Sequence, residues 1–336
     1  MPWRRLVTLF SSTVLTRTLL VLAVLLAAGW GIYRLSIPHY KGKSVGYWFD
    51  NYPYGGLKRR DSIAAFQAMS PDGVRYLISE LEAERPSLGP WFQSLRSVIF
   101  RRPGGYNESA WLHRKARACE ILGDMGPSAQ SAVPHLETAS SNSMWYVWTS
   151  ARAALIKIRD ESPAPFIEEL RDTSDPMQWF PKAMLVSELG TNASTAVPLL
   201  IDALQHSNEI VIGHALIALG KIESLPEVCV PALTPFLTNG SVSTRQKAFY
   251  AVLRFGESAS SAADAIIAGL SDPDPWNRSQ ALLAVKDVLR SQDQKRALAQ
   301  CEALLKDPDP YVRKRAKERL PVIRAAASGS NGSTLR

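Results

Sequence analysis

Cysteine is scarce: three in 336 residues, at 119, 229 and 301, none in a C-x-x-C pair. That excludes a disulfide scaffold and a paired-thiolate metal or redox centre. Each cysteine falls in an apolar helical pattern and is expected to serve as a small buried hydrophobe. Histidine is nearly as rare, with five residues at 39, 113, 135, 206 and 214. No H-x-x-x-H or H-E-x-x-H spacing sets two of them on one helical face as ligands. His206 and His214 read as exposed polar positions around a helix start. The chain has no G-x-G-x-x-G, no P-loop and no G-x-S-x-G. It therefore has no sequence sign of a phosphate-cradling loop or a nucleophile elbow. Acidic pairs at Asp160-Glu161 and Glu168-Glu169 read as helix N-terminal charges rather than as an acid/base couple. Gly and Pro, 20 and 22, are near average usage, which excludes collagen-like and linker-dominated chains.

What is present is a globular composition, 46% hydrophobic and 21% charged, with a formal charge of +8. The positive excess is confined to the ends. Residues 1–35 carry +4, 36–110 carry +3 and 271–336 carry +5, whereas 111–180 and 181–270 each carry −2. A chain that tracks phosphates needs its Lys and Arg as a stripe along many units. The acidic middle argues against nucleic acid as a partner.

Near the N-terminus an uncharged run, TLLVLAVLLAAGWGIY, extends from Thr18 to Tyr33 between Arg17 and Arg34. As helix it spans about 24 Å at ~1.5 Å per residue, slightly short of a ~30 Å hydrocarbon layer. Snorkelling by the flanking arginines and interfacial placement of Trp30 and Tyr33 extend its reach. Residues 1–35 are thus expected to be a single-pass anchor. The alternatives are a cleaved signal ending near Ala27-Ala28-Gly29, or a buried or interfacial helix. Arg4, Arg5 and Arg17 favour an N-in orientation, which Arg34, Lys41 and Lys43 weaken.

The rest of the chain repeats. ARACEILGDMGPSAQSAVPHL, LVSELGTNASTAVPLLIDAL, ALIALGKIESLPEVCVPALTPFL and AVLRFGESASSAADAIIAGLSDPDP each read as apolar helix, Gly, small polar turn and second apolar helix. Gly123, Gly190, Gly220 and Gly256 are expected as left-handed helix ends. Ser128, Ser194 and the Ser258–Ser261 cluster are expected as caps of the following helix. Val-Pro pairs at 133–134, 197–198 and 230–231 should kink their helices. Residues opening the other helix fall at Trp145, Trp179, Ile210, Val242, Trp276 and Tyr311, a period near 33 that implies an α-solenoid. Two loops are nearly identical, Asp272-Pro-Asp-Pro-Trp-Asn-Arg278 and Asp307-Pro-Asp-Pro-Tyr-Val-Arg313. The Asp residues of these loops can cap the incoming helix. Arg278 and Arg313, six residues beyond Asp272 and Asp307, can reach back to that carboxylate or to the adjacent unit.

These motifs resemble the HEAT repeat, in the short form found in phycobilisome lyases, whose units run Gly-x-x-Ala-x-x-Ala-Val-Pro-x-Leu, Asp-Pro-x-x-x-Val-Arg and Ala-x-x-Ala-Leu-Gly. The resemblance implies an all-α, right-handed solenoid of helix pairs, with the Pro-bearing helices convex and the post-Asp helices concave. It covers about 111–323, after a degenerate leading repeat with an insertion (57–110) and before a disordered tail (324–336). Arg is absent near 147 and 212, so a regular Asp–Arg ladder is not expected throughout. The segment YKGKSVGYWFD at 40–50, within a juxtamembrane stretch 36–56, resembles the Tyr-x-Gly-Lys-x-x-x-x-Trp motif of anchored bacterial HEAT-repeat proteins. There Trp48 and Phe49 would pack as an N-terminal cap. A HEAT-type di-iron hydroxylase would need His-Glu dipeptides, and the chain has none.

The candidate binding residues are Trp145, Trp148, Trp179, Phe180 and Lys182, aromatics at matching positions of adjacent units with a cation beside them; core filling is the competing reading. The expected function is a non-catalytic scaffold with a protein partner, without cofactor, metal, small-molecule substrate or nucleic acid. It is expected at a bacterial inner membrane with its solenoid in the periplasm. The alternatives are a lyase-like enzyme of the phycobilisome type and, further off, a nucleic-acid-binding repeat protein.

Overall fold

The computed structural model describes residue 21 and residues 37–52, 57–83 and 108–328. The expected anchor at 18–33 apart from residue 21, most of the insertion at 85–110 and the tail beyond 328 lie outside the described residues. Among the described residues no helix is long and apolar enough to cross a membrane. The chain divides into two compact units, Met1–Tyr76 and Leu77–Arg336.

In the first unit a two-stranded antiparallel hairpin, β1 (His39–Tyr40) and β2 (Lys43–Ser44), turns through Lys41 and Gly42, both at positive φ. Ser44 then caps α1 (Val45–Asp50) by accepting the Tyr47 N–H at 3.3 Å. Phe49 is fully buried and meets Tyr76 edge-on at 5.7 Å. Trp48 stays partly exposed and donates its indole N–H to the Tyr40 carbonyl at 3.3 Å. Capping therefore falls to Phe49, while Trp48 folds back on the hairpin. The helices α2 (Leu57–Ala68) and α3 (Asp72–Glu82) follow, the division between the units falling inside α3.

The second unit alternates long and short helices. The long ones are α4 (Glu108–Met125), α6 (Trp145–Arg159), α8 (Pro176–Glu188), α10 (Glu209–Ile222), α12 (Val242–Phe255), α14 (Pro275–Asp287) and α16 (Pro310–Ala327). Between them lie α5 (Val133–Ala139), α7 (Ala164–Glu168), α9 (Val197–Ala203), α11 (Pro226–Leu233), α13 (Ala263–Ala268) and α15 (Ser291–Ala303), short except for α15, which has 13 residues like α8 and α14. Each long helix packs against the next, from α4 on α6 through to α14 on α16. Because every intervening helix returns the chain, the long helices run parallel and their N-termini share one edge. One continuous core extends from Ala153 to Ile323. Helices of this length are marginal alone, so each depends on the apolar flank of its neighbours. α16 runs four residues past the expected end at 323, held by buried Ile323 and by an Arg324–Glu302 pair.

Three of the long-to-short connections are 3-10 segments, Gly126–Ala132, Gly190–Ala196 and Gly256–Ala262. The first two kink at their centre, where Ala129 (φ −98°, ψ 17°) and Ala193 (φ −100°, ψ 23°) leave the helical region. All three share a spacing, Gly126-Ala129-Ala132, Gly190-Ala193-Ala196 and Gly256-Ala259-Ala262, and all six alanines are buried. The left-handed glycines are therefore Gly126, Gly190 and Gly256, at φ +61°, +62° and +53°. Gly123 and Gly220 are not helix ends, contrary to expectation. A Cβ there would stand 2.9 Å from Ala154 Cα and 2.7 Å from Ala251 Cα, so these glycines let neighbouring long helices approach. α10 instead closes on Glu223 at φ 51°, and α6 on Asp160 at φ 56°. The serines do not cap: α5, α9 and α13 start after alanine with no side-chain cap, and Ser128 donates to the Met125 carbonyl. Pro134 and Pro198 occupy the first turn of α5 and α9, where no N–H is needed, so they open helices rather than kink them.

Candidate partner-binding surface

The entry to each long helix is built around its N-cap. Met144, Asp175, Asn208, Ser241, Asp274 and Asp309 hold that position, at intervals of 31, 33, 33, 33 and 35. All but Met144 accept a first-turn N–H on the side chain, which satisfies donors the helix leaves orphaned. The caps of the twin loops are thus Asp274 and Asp309. Asp272 and Asp307 sit two residues earlier and do something else.

Asp272 receives the guanidinium of Arg245 bidentately, Nε at 2.6 Å and Nη2 at 2.9 Å. Asp307 receives Arg278 in the same way, at 2.7 and 2.8 Å. Each Asp also accepts the N–H two residues on, both at 2.8 Å. The free Nη1 of each arginine ties down its own loop, Arg245 on the Gly240 carbonyl and Arg278 on those of Asp272 and Pro273. Each rung therefore joins one repeat to the next, instead of closing within its own loop. Burial acts to raise the Asp272 and Asp307 pKa, but the arginine hydrogen bonds and the loop N–H outweigh it, and both are held below the ordinary carboxylate range. At the arginine position, four residues past the N-cap, earlier repeats carry Trp148, Trp179 and Ile212. At the facing Asp position, two before the next N-cap, they are followed by Thr173, His206 and Asn239. Where the cation is missing, no charged rung is needed.

Two rows cross the exposed side of the long helices. Near the shared N-terminal edge, His113 stacks on Tyr146 at 4.8 Å, Trp145 meets Phe180 at 4.3 Å and Phe180 meets His214 at 4.1 Å. Tyr146 and Trp145 are themselves edge to face at 5.4 Å, so aromatic rings link α4, α6, α8 and α10. Toward the C-terminal ends, Lys157 pairs with Asp124 at 3.0 Å, Lys221 with Glu188 and Arg254 with Glu223, each joining neighbouring long helices. Burial would lower the Lys221 pKa, but Glu188 and then Glu120 more than offset it, leaving it raised.

The edge itself is apolar. Trp145, Met177, Ile210, Val242 and Trp276 lie within the first two residues of α6, α8, α10, α12 and α14, and all are exposed, Met177 at 68% and Trp276 at 47%. Trp276 continues onto Tyr311 of α16 by ring stacking at 5.8 Å.

Of the expected binding residues, Trp145 and Phe180 come together, Trp145 exposed and Phe180 half-buried. Trp179 does not join them. It is 1% exposed and donates its indole N–H to the Leu170 carbonyl at 3.0 Å. The reason is register: Trp145 stands one residue past its N-cap and Trp179 four past, on the inward side. Trp148, at the same depth, is half-buried against the core. Lys182 is engaged with Glu169 at 3.9 Å. Met177, at the edge where Trp179 was expected, carries no signal beyond its spacing from the Asp175 cap.

His214 is not the exposed residue expected. Its ring packs on Phe180, its Nδ1 is buried without a hydrogen-bond partner, and burial followed by the Lys247 charge lowers its pKa to about 4. His206 accepts the Asn208 N–H at 2.9 Å. The three cysteines are buried thiols as expected, pushed up by burial, Cys229 to about 11 and Cys301 to about 12. Among the described residues no group of three or more His, Cys, Asp or Glu could hold a metal ion.

The second unit is thus an α-helical repeat array with an aromatic and aliphatic edge. No protein-family model matches the chain, and no curated protein does. Its neighbours among solved structures include HEAT-like repeat proteins. An engineered protein is 19% identical, covering 62% of this chain and 97% of its own, with a TM-score of 0.43. The archaeal HEAT-like repeats protein of Thermococcus onnurineus NA1 is 11% identical, with coverage of 67% and 99% and a TM-score of 0.39. The complex of CpcE and CpcF of phycocyanin lyase from Nostoc sp. PCC7120 is 20% identical, with coverage of 86% and 98% and a TM-score of 0.36.

Proposed function

We propose that this chain is a non-catalytic HEAT-like scaffold, tethered to a bacterial inner membrane through residues 18–33, that holds a protein partner along the N-terminal edge of its long helices. The tether is supported by the uncharged run between Arg17 and Arg34, and a periplasmic solenoid by the arginines that precede it. The observation that carries the partner site is the exposed large apolar side chain at each entry from α6 to α14. Scattered surface apolars need no explanation, whereas an aligned row of them marks an interaction surface. A partner segment lying across successive repeats buries Trp145, Met177 and Trp276 in turn, with aromatic anchors of the kind that dominate binding energy.

The test is crosslinking of the full chain in its native membrane, comparing wild type with Trp145→Ser/Trp276→Ser and with Val322→Ser. Val322 is equally exposed but stands on α16 away from the edge. The edge variant should lose one crosslinked protein by at least tenfold while keeping its melting temperature, and Val322→Ser should retain it. Equal capture by all three would refute the assignment.

A further inference from the structure

Among the described residues the Arg–Asp ladder stops at a rung without its carboxylate. Arg313 occupies the position of Arg245 and Arg278, four residues past its N-cap, and repeats the donor half of the rung. Its Nη1 donates to the Asp307 carbonyl at 2.6 Å and to that of Pro308 at 2.8 Å. In both interior rungs Nε and Nη2 then grip the Asp of the following loop. On Arg313 those two N–H groups have no partner among the described residues, and the side chain is half-buried. The arginine is held by its own loop in the geometry that accepts a carboxylate.

A second observation on the same helix points to an anion. α16 carries Arg313, Lys314, Arg315, Lys317, Arg319 and Arg324 against Glu318 alone. The Arg319 Nε is buried without a hydrogen-bond partner, and its pKa is lowered by burial and then by the neighbouring Arg315 charge, which Asp287, Glu318 and Tyr311 offset only in part. Within 313–319 the one carboxylate, Glu318, is engaged by Arg315 at 3.2 Å. A surface that only met solvent would gain nothing from a cation cluster that repels itself.

We infer that the α16 end of the array is a docking site for a protein partner that presents an aspartate or glutamate just ahead of a helix, gripped bidentately by Nε and Nη2 of Arg313. The interior rungs define the chemistry: a planar carboxylate held by a fork, not a diffuse negative surface. The loop that bears it also offers a main-chain N–H to the same carboxylate oxygen, as the loops at Asp272 and Asp307 do. This site adjoins the end of the apolar edge, where Tyr311 stacks on Trp276, but rests on a different contact, and either can fail without the other.

The experiment places a photoreactive benzoylphenylalanine at exposed Lys314 of the full chain, irradiates the producing cells and maps the adduct by mass spectrometry. The adduct should fall on a protein segment within a few residues of an Asp or Glu that leads a helix. Its yield should drop at least tenfold with Arg313→Gln and with Arg313→Lys, which keeps the charge but loses the fork. Arg324→Gln removes the same charge from a pair with Glu302 and should leave the yield unchanged, as should Trp145→Ser. Circular dichroism melts check that the variants stay folded. Adducts on phospholipid or nucleic acid, on protein segments without an acid, at a yield independent of Arg313 or preserved by Lys, or no adduct at all, would overturn the inference.

Discussion

Within one chain the rung between Arg278 and Asp307 has a natural counterpart without charge. Four residues past the Asn208 cap stands Ile212, and two before the Ser241 cap stands Asn239. Replacing Arg278 by Ile and Asp307 by Asn copies that uncharged position into a charged one. The Arg278 and Asp307 side chains are 13% and 4% exposed, so removing either partner alone strands a largely desolvated charge. Such losses run at about 3–5 kcal/mol for buried pairs, and the residual exposure of Arg278 places each single variant near ~2–3 kcal/mol. The double variant loses the attraction but strands nothing. What remains is the loop bonding by Arg278 Nη1 to Asp272 and Pro273, ~1–2 kcal/mol for two hydrogen bonds near solvent. The double variant should therefore be no less stable than the worse single, with a coupling energy of about 3–4 kcal/mol. Thermal or urea unfolding of the full chain followed by far-ultraviolet circular dichroism reads this, with ~1 kcal/mol corresponding to about 2–4 °C in a body of this size. The acid limb gives a second readout. Asp307 is held below its unfolded value of ~3.9, so its contribution is present above that pH and lost as pH falls through the lower folded value. The double variant should lack that part of the acid sensitivity. Strictly additive single effects would refute the reasoning, because they would mean the two side chains do not act as a pair.

The remaining predictions concern backbone and protonation. Gly220→Ala should destabilise the chain by about 1–3 kcal/mol through overpacking, since the added Cβ would meet Ala251 Cα at 2.7 Å. Gly126→Ala, at φ +61° with open space around it, should cost only ~1 kcal/mol of backbone strain, and the two melts separate the causes. His214 carries a folded pKa of about 4 against about 6.5 unfolded. The unfolded chain thus binds the proton first, and stability should fall as pH drops from about 6.5 to about 4. The full shift would be worth ~3 kcal/mol, reduced to about 1–2 by partial exposure. His214→Phe should remove that loss, and an unchanged pH profile in the variant would count against it.

Much of this protein was legible before folding. The recurring order of apolar helix, Gly, small polar turn and second apolar helix was readable, because turns and packed helices call for different residues. An Asp or Asn ahead of Pro or a hydrophobic marks a helix start through local capping. The period near 33 follows because each helix pair hides its apolar flank only against the next. These are short-range rules, and one chain suffices to apply them. The depth of a side chain along a helix and the spacing between helices are not local. Trp145 and Trp179 look equivalent in sequence, yet three residues of register carry one to the exposed edge and the other to the Leu170 carbonyl. Gly123 and Gly126 differ by three positions, and only the approach of Ala154 assigns close packing to one and a left-handed turn to the other. Arg278 had two carboxylates within nominal reach, and the stacking of repeats gave it Asp307 in place of Asp272. Capping and turn formation are settled by a residue and its near neighbours along the chain. Burial and pairing depend on what the next repeat brings alongside, and that exists only once the repeats have stacked.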